Sequence, residues 1–410
     1  MSVRKRTWLT KGVLHQGWQA DYTDASGNRH RKQFKLKKDA EAFEKRAVTE
    51  VTDGTHIAES DGITVQEAGA HWIKAKIRSG REQATIAQYQ QHLSLHIIPA
   101  IGHLKLHALT PVTLSGFEDF LIEGKRSPAM VKKIMVSLGS ILANAQKRGN
   151  ANRNVVRDMR GLGNGSDARA EKRAKARLRV GVDIPTPSEI RGILGALRDH
   201  WRPLFMTAIF TGLRASELRG LAWENVDLNR ARIHVRQRAD RYNSIGRPKS
   251  EAGERYVPIP RQLANVLSEW RLICPGKKSG NYSASGEPAR VLDLVFPNGL
   301  GNVESLGNII NRGFGPTQVR AGIVVDTGKV DQDGIPIPGA KYSGMHALRH
   351  FHASWLINPA KSGGLGLSPK EVQERLGHSS IVITMNTYSH LFERLDDGNE
   401  MSEAAEALLQ

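Results

Sequence analysis

The stretch from Gly161 to Arg179, GLGNGSDARAEKRAKARLR, constrains the fold most: three glycines precede a run of cations, with almost no large apolar side chain to enter a core. It must separate bodies that fold without it, and a chain of 410 residues is in any case too long for one ordinary core. A basic, glycine-containing linker is therefore set at residues 161–183.

The periodicity on the two sides differs. In GWQADYT, Trp18, Ala20 and Tyr22 alternate onto one face, ASGN supplies a turn, and RKQFKLK puts Phe34 and Leu36 on the same side. Ala40, Phe43, Ala47 and Val51 then recur at helical spacing, so residues 1–60 predict a small α+β unit. Its second strand carries Arg29, Arg31, Lys32, Lys35 and Lys37, cations that either blunt a sheet edge or lie against a polyanion.

Residues 63–160 read as helical. Thr64 and Glu67 make a capping box, and Val131, Ile134, Leu138, Ile141, Leu142 and Ala145 form one apolar stripe with Lys132 and Lys133 facing outward. A third unit spans 184–398 and opens on Thr186, Pro187 and Glu189 as N-cap, first and third helical positions. Short strands in ARIHVRQ and ERYVPIP, a long polar connection and further helices make it mixed α/β, and a helix-prone tail occupies 399–410. The fold class expected is multidomain, mainly α with small β elements.

The formal net charge of +18 points to a polyanion, with nucleic acid first because neutralised phosphates release counterions. Arg173 and Lys175 in the linker are placed to track a phosphate backbone. A single cysteine, Cys274, excludes a disulfide framework or a thiolate zinc site. The start MSVRKRTWLT has no apolar run behind it, and no segment approaches the roughly 20 apolar residues a bilayer requires, so the expected location is cytoplasmic, with no membrane partner.

Chemistry concentrates towards the end. In TGLRASEL, Gly212 breaks one helix and Arg214 precedes the next; a cation at the positive end of a helix dipole is unfavourable unless an anion binds there, and Glu217 is placed to orient the guanidinium. Lys249, in the turn region between two strands, is of a type that protonates a leaving oxygen when crowded by cations, although a loop lysine is ordinarily only solvated. In MHALRHFHASWL, Arg349 offers a planar fork for two phosphate oxygens, flanked by His346 and His350. The histidines also raise a metal site, but carboxylate ligands are lacking nearby, and cations are expected in place of a metal. SPKEVQERLGHSS carries a Ser368/Glu371 capping box and Gly377 as helix stop, so His378 falls just past a helix end. Tyr388 follows. Ionising a phenol of pKa about 10 at pH 7 costs roughly 4 kcal/mol, which converging arginines, histidines and a lysine would lower while stabilising a five-coordinate phosphorane-like transition state.

Arg214, Lys249, His346, Arg349, His378 and Tyr388, in TGLRASEL, HALRH and LGHSSIVITMNTYSH, resemble the catalytic set of the tyrosine recombinase or phage integrase family. LSLHIIPAIGHLKLHALTP at 93–111 is similar to that family's core DNA-binding domain, and the N-terminal unit to its arm-binding domain. The resemblance implies that Tyr388 attacks the scissile phosphate to give a 3′-phosphotyrosyl bond and a free 5′-hydroxyl. It further implies that Arg214 and Arg349 clamp non-bridging oxygens, Lys249 protonates the 5′-oxygen, His346 acts as base or donor, and His378 bonds the phosphate. No metal and no cofactor is implied. The implied partners are double-stranded attachment-site DNA, a homotetramer, a host DNA-bending protein and a directionality factor. Ala347 stands where members often carry an acid, so support for Arg349 is expected from His350. A type IB topoisomerase, a non-catalytic DNA-binding regulator and a metal-dependent nuclease are the competing expectations.

Overall fold

Alternation in the N-terminal segment becomes a three-stranded antiparallel sheet of β1 (Ser2–Thr10), β2 (Val13–Thr23) and β3 (Arg29–Phe34), in that order. Helix α1 (Lys37–Thr52) covers it: Ala20 and Tyr22 are buried, and the Phe43 ring lies 5.7 Å from Tyr22 and 5.2 Å from Phe34. Leu36, expected beside Phe34, is instead 63 % exposed, because the strand has already ended at Phe34. Strand β1 was not anticipated, since its cations mask the alternation. The strand cations divide between two faces. Arg29 and Arg31 join Arg4 around the buried Asp21, whereas Lys32 turns to α1 with its ammonium 5.0 Å from the Phe43 ring. Lys37 lies over Trp18 and pairs with Glu41, and Lys35 is exposed.

The computed structural model describes residues 2–10, 13–23, 27, 29–52, 62–160, 177–276, 293–392 and 399–409. The chain divides into two compact units, 1–166 and 167–410, with the boundary inside the glycine-containing basic stretch. Arg173 and Lys175 lie outside the described residues.

The rest of the first unit is helical: α2 (Val65–Arg78), α3 (Gln83–His92), α4 (Ile98–Ile101), α5 (Pro111–Glu123), α6 (Pro128–Lys147) and α7 (Val155–Arg160). Thr64 and Glu67 close the capping box at the start of α2. The α6 stripe from Val131 to Ala145 packs around the buried Trp72, whose Nε1 donates to Ser140, and Lys132 and Lys133 remain on the solvent face.

In the second unit, α8 (Pro187–Ala196) starts at the Thr186/Glu189 box, followed by α9 (Trp201–Thr211) and α10 (Ala215–Arg219). Strands β4 (Val226–Asp227) and β5 (Arg232–Val235) come next, then the hairpin of β6 (Arg238–Ala239) and β7 (Ile245–Gly246), and β8 (Arg255–Pro258). Strands β4, β5 and β8 form one antiparallel sheet. Helices α11 (Arg261–Ile273) and α12 (Gly315–Arg320) follow, and part of the long polar connection is an exposed hairpin, β9 (Val324–Val330) with β10 (Pro336–Ala340). Helices α13 (His346–Ile357), α14 (Pro369–Leu376), α15 (Ile381–Tyr388) and α16 (Asn399–Leu409) complete the unit. Its main core gathers Phe205, Ile233, Val257, Leu263, Phe314 and Leu348. A smaller cluster unites Ala353, Leu356, Val372 and Leu376 with the ring of Tyr388. Among the described residues no helix is long and apolar enough to cross a membrane.

Candidate active site

Two glycines bring the site's backbone together. Gly212 ends α9 in the left-handed region, and its carbonyl accepts from Arg349 Nη1 at 2.7 Å. Gly377 ends α14 likewise, with φ +66; its carbonyl accepts from Arg214 Nη2 at 3.2 Å, and a Cβ there would stand 2.7 Å from Arg255 Nη1. Each left-handed cap thus presents a carbonyl to a guanidinium from a distant helix.

Arg214 is the N-cap of α10, where an anion is favoured. Its Nη1 donates to Glu217 Oε1 at 2.8 Å, and its side chain stays 36 % exposed. Arg349, one turn into α13, is only 3 % exposed; its Nη2 donates to the Leu376 carbonyl at 2.7 Å. Of five N–H bonds on a guanidinium, Nε and one on each amino group remain for a ligand. Burial and the neighbouring Arg214 push the Arg349 pKa down to about 9, which leaves it charged at neutral pH.

Glu217 is the counter-ion of this group. It is 3 % exposed, and its Oε2 accepts from the Arg214 backbone at 2.9 Å and from Arg255 Nη2 at 3.0 Å. Burial pushes its carboxyl up, but Arg255 and Arg214 more than offset this and hold it below the usual range. Arg255 also donates to the carbonyls of Arg375 and Gly253, both at 2.9 Å. This guanidinium was not singled out for the site from sequence; the signal was its inward position in the β8 alternation beside Val257. Lys249 is exposed in the loop between β7 and β8, outside the buried cluster, and four residues before the Gly253 carbonyl that holds Arg255.

Tyr388 closes α15 and is 1 % exposed. Its ring stacks against His378 at 6.3 Å and 8°, and its hydroxyl meets His350 Nδ1 at 2.8 Å. Burial drives the phenol pKa up to about 12, with Arg349 and Arg214 opposing the rise. Holding it ionised at neutral pH would thus cost roughly 7 kcal/mol, more than the free side chain demands. His378 Nδ1 is engaged by Thr384 Oγ1 at 2.9 Å, so Nε2 is the atom left for a ligand. His346 stands at the N-terminal end of α13, reachable from solvent and 5.0 Å edge-on from His350, and partial desolvation by the protein around it, then Arg349 and Arg214, lower its pKa. His350 meets the phenol and not the Arg349 guanidinium, which donates to the backbone carbonyls of Gly212 and Leu376. His352, two residues on, is a core histidine bonded to the Ile209 carbonyl.

Burial holds His352 near 3 and His350 and His378 near 4, below the roughly 6.5 of an unfolded chain. The unfolded state therefore binds more protons between about pH 6.5 and 4, so stability contributed by these rings is complete above that window and is lost as pH falls through it. Denaturant titrations are expected to show the second unit roughly 6 kcal/mol less stable at pH 5 than at pH 7.5, about 2 for each of the three rings. Equal stability at both pH values would show that the rings are not held neutral. Among the described residues no group of three histidine, cysteine or acidic side chains is arranged to hold a metal ion.

The chain is similar to known proteins in sequence and in fold. A tyrosine recombinase XerC-like protein of Caldanaerobacter subterraneus subsp. tengcongensis is 24 % identical over 391 residues, 90 % of each chain. Tyrosine recombinase XerC of Xylella fastidiosa is 30 % identical over 210 residues, 51 % of this chain and 52 % of that protein. In fold, the chain matches the Tn1549 transposon integrase in complex with transposon right end DNA (TM-score 0.62, 18 % identity, 83 % of this chain and 99 % of that one). It also matches a lambda integrase dimer bound to a COC′ core site (TM-score 0.53, 16 % identity, 94 % of each chain). The phage integrase family profile covers residues 186–394, the segment that contains every buried cation and the tyrosine described above, and the chain belongs to that family.

Proposed function

We propose that the chain cuts and rejoins DNA at specific sites through a 3′-phosphotyrosyl bond to Tyr388 and exchanges strands between two duplexes, as the integrase of a phage or other mobile element. The observation that carries this reading is the convergence on one phenol of His350 at 2.8 Å and of a stacked His378, with Arg349 and Arg214 close enough to act on its ionisation. Arg214 is half-buried and His346 exposed, whereas Arg349, His378 and Tyr388 are buried. A phosphodiester entering from solvent meets Arg214 first and Arg349 next, and these would take its non-bridging oxygens while His378 Nε2 bonds a third atom of the phosphorus sphere. Only Thr384 and Tyr388 of α15 are buried, so few core contacts hold that helix in place. Lys249, on the loop anchored through Gly253 and Arg255, would protonate the leaving 5′-oxygen, and Glu217 would hold Arg214 in place.

The roles of the other parts follow from their charge and placement. The α+β unit at 1–60 would bind arm-type DNA through the face that carries Arg29 and Arg31, with Lys35 beyond the strand end. The helical unit at 63–160 would grip core DNA with Lys132 and Lys133 on its outer face. The linker at 161–183, with Arg173 and Lys175, would track the backbone, the catalytic unit would occupy 184–398, and the tail at 399–410 would dock on a neighbouring subunit. The acting species would be a homotetramer on attachment-site DNA in the cytoplasm, on the nucleoid, assisted by a DNA-bending protein and a directionality factor. A lambda integrase tetramer bound to a Holliday junction, which has this fold at TM-score 0.52, supports the assembly.

Cations in place of carboxylates around the reacting phosphate predict that cleavage needs no divalent metal. Incubating the protein with end-labelled nicked duplexes of randomised sequence, with and without EDTA, is expected to give a covalent adduct on denaturing gels in both cases. Adduct formation that disappears with EDTA would overturn the metal-free reading, and no adduct under any condition would overturn the recombinase itself.

A further inference from the structure

We propose that His350 is a catalytic residue: its Nδ1 takes the proton of the Tyr388 hydroxyl as the phenol oxygen attacks phosphorus, and returns it when the phosphotyrosyl bond is broken. The inference deepens the recombinase reading and rests on it. Its ground is geometric. The two atoms are 2.8 Å apart, the phenol is sealed from solvent, and among the described residues no other side chain is recorded in hydrogen bond to that hydroxyl. Water cannot carry the proton away from an oxygen so enclosed, so the group bonded to it must.

The chain builds this contact deliberately. His350 is one turn along α13 from His346, and the two rings meet edge-on at 5.0 Å, which fixes the face that His350 presents to the phenol. Next to it Arg349 projects about 100° further round the helix, into the carbonyls of Gly212 and Leu376. The split is useful: adjacent positions on one helix divide the work, one binding the phosphate and the next receiving the proton. Burial, His346 and Arg349 hold His350 near 4, so it is neutral and able to accept, while Asp183 acts in the opposite sense and favours the protonated ring. An entering phosphate brings negative charge against Arg349 and Arg214, and this further favours a proton on His350.

The balance is complete without an external reagent. The O–H bond of Tyr388 breaks and its proton moves to Nδ1; the O–P bond forms and the P–O5′ bond breaks. The 5′-oxygen leaves with a proton from a separate donor. As the phenol oxygen bonds to phosphorus it ceases to be basic, so the transfer proceeds with bond formation although free phenol holds its proton tightly.

The test uses a nicked duplex selected by adduct formation with the native full-length protein, and compares His350→Ala, His350→Gln and Lys249→Ala. Binding to the duplex is measured alongside as the control for folding. His350→Ala and His350→Gln are both expected to bind normally and to form adduct about 10²- to 10⁴-fold more slowly, since glutamine can accept a hydrogen bond but not a proton. A bridging 5′-phosphorothiolate, whose sulfur leaves without protonation, should restore Lys249→Ala and leave both His350 variants slow. Replacing Tyr388 by a ring-fluorinated tyrosine, which ionises more readily, should recover at least part of the loss in His350→Ala. Full rate in His350→Gln, or rescue of either His350 variant by the phosphorothiolate, overturns the proposal. If the native protein itself forms no adduct, it is the recombinase reading that fails.

Discussion

Tyr388→Phe is expected to abolish covalent attachment to nicked DNA while leaving DNA binding and folding close to native. The substitution is shape-conserving in a site where the ring is 1 % exposed and packed with Leu356, Val372 and Leu376, so the aromatic contacts persist. What disappears is the hydroxyl and its bond to His350, a net loss of about 1 kcal/mol in stability. The catalytic loss is of another order, because no other oxygen occupies that position between the histidines and the arginines. Denaturing electrophoresis should show no adduct at any time, and a binding titration on the same duplex should superimpose on the native curve. An adduct that persists in Tyr388→Phe would place the nucleophile elsewhere and dissolve the roles given to His378 and His350 together. Loss of DNA binding in the variant would show that the phenol is a binding group and not a nucleophile.

The parts of this molecule that local rules govern were legible in the sequence. The boxes at Thr64/Glu67, Thr186/Glu189 and Ser368/Glu371 all form, because each needs only residues three apart. The stops at Gly212 and Gly377 occur where a left-handed residue was called for by position. What escaped was long-range. Arg255 is separated from Glu217 by 38 residues and joined to it only through sheet and helix packing, so no spacing announces the pair. His350 was read as support for Arg349 in place of the acid missing at Ala347, but neighbours on a helix point about 100° apart, and the ring faces Tyr388 instead. The strand cations look like one patch when counted and become two faces when pleated, with Lys32 turned inward to Phe43.

Glu217 carries the second large effect. Arg214, Arg255 and Arg349 crowd one region, Arg255 and Arg349 are almost fully buried, and Glu217 is the carboxylate that two of them share. Glu217→Ala would leave those guanidinium groups repelling each other in a poorly hydrated interior, where removal of one partner from a buried pair costs about 3–5 kcal/mol. Denaturant unfolding of the variant should show that loss, and adduct formation should fall further than stability does, because Arg214 loses the contacts at Nη1 and at its backbone N–H that aim it into the site. Glu217→Gln separates the two contributions: the amide keeps one acceptor for the Arg214 backbone but removes the charge. It is expected to fold better than the alanine variant and still to cut slowly. Inorganic phosphate, an anion able to sit among the three cations, should stabilise Glu217→Ala against heat more than it stabilises the native protein. If Glu217→Ala is as stable as native and phosphate raises both melting temperatures equally, the carboxylate does not hold the arginines together, and their convergence must be maintained by the carbonyls of Gly212, Gly253, Arg375, Leu376 and Gly377.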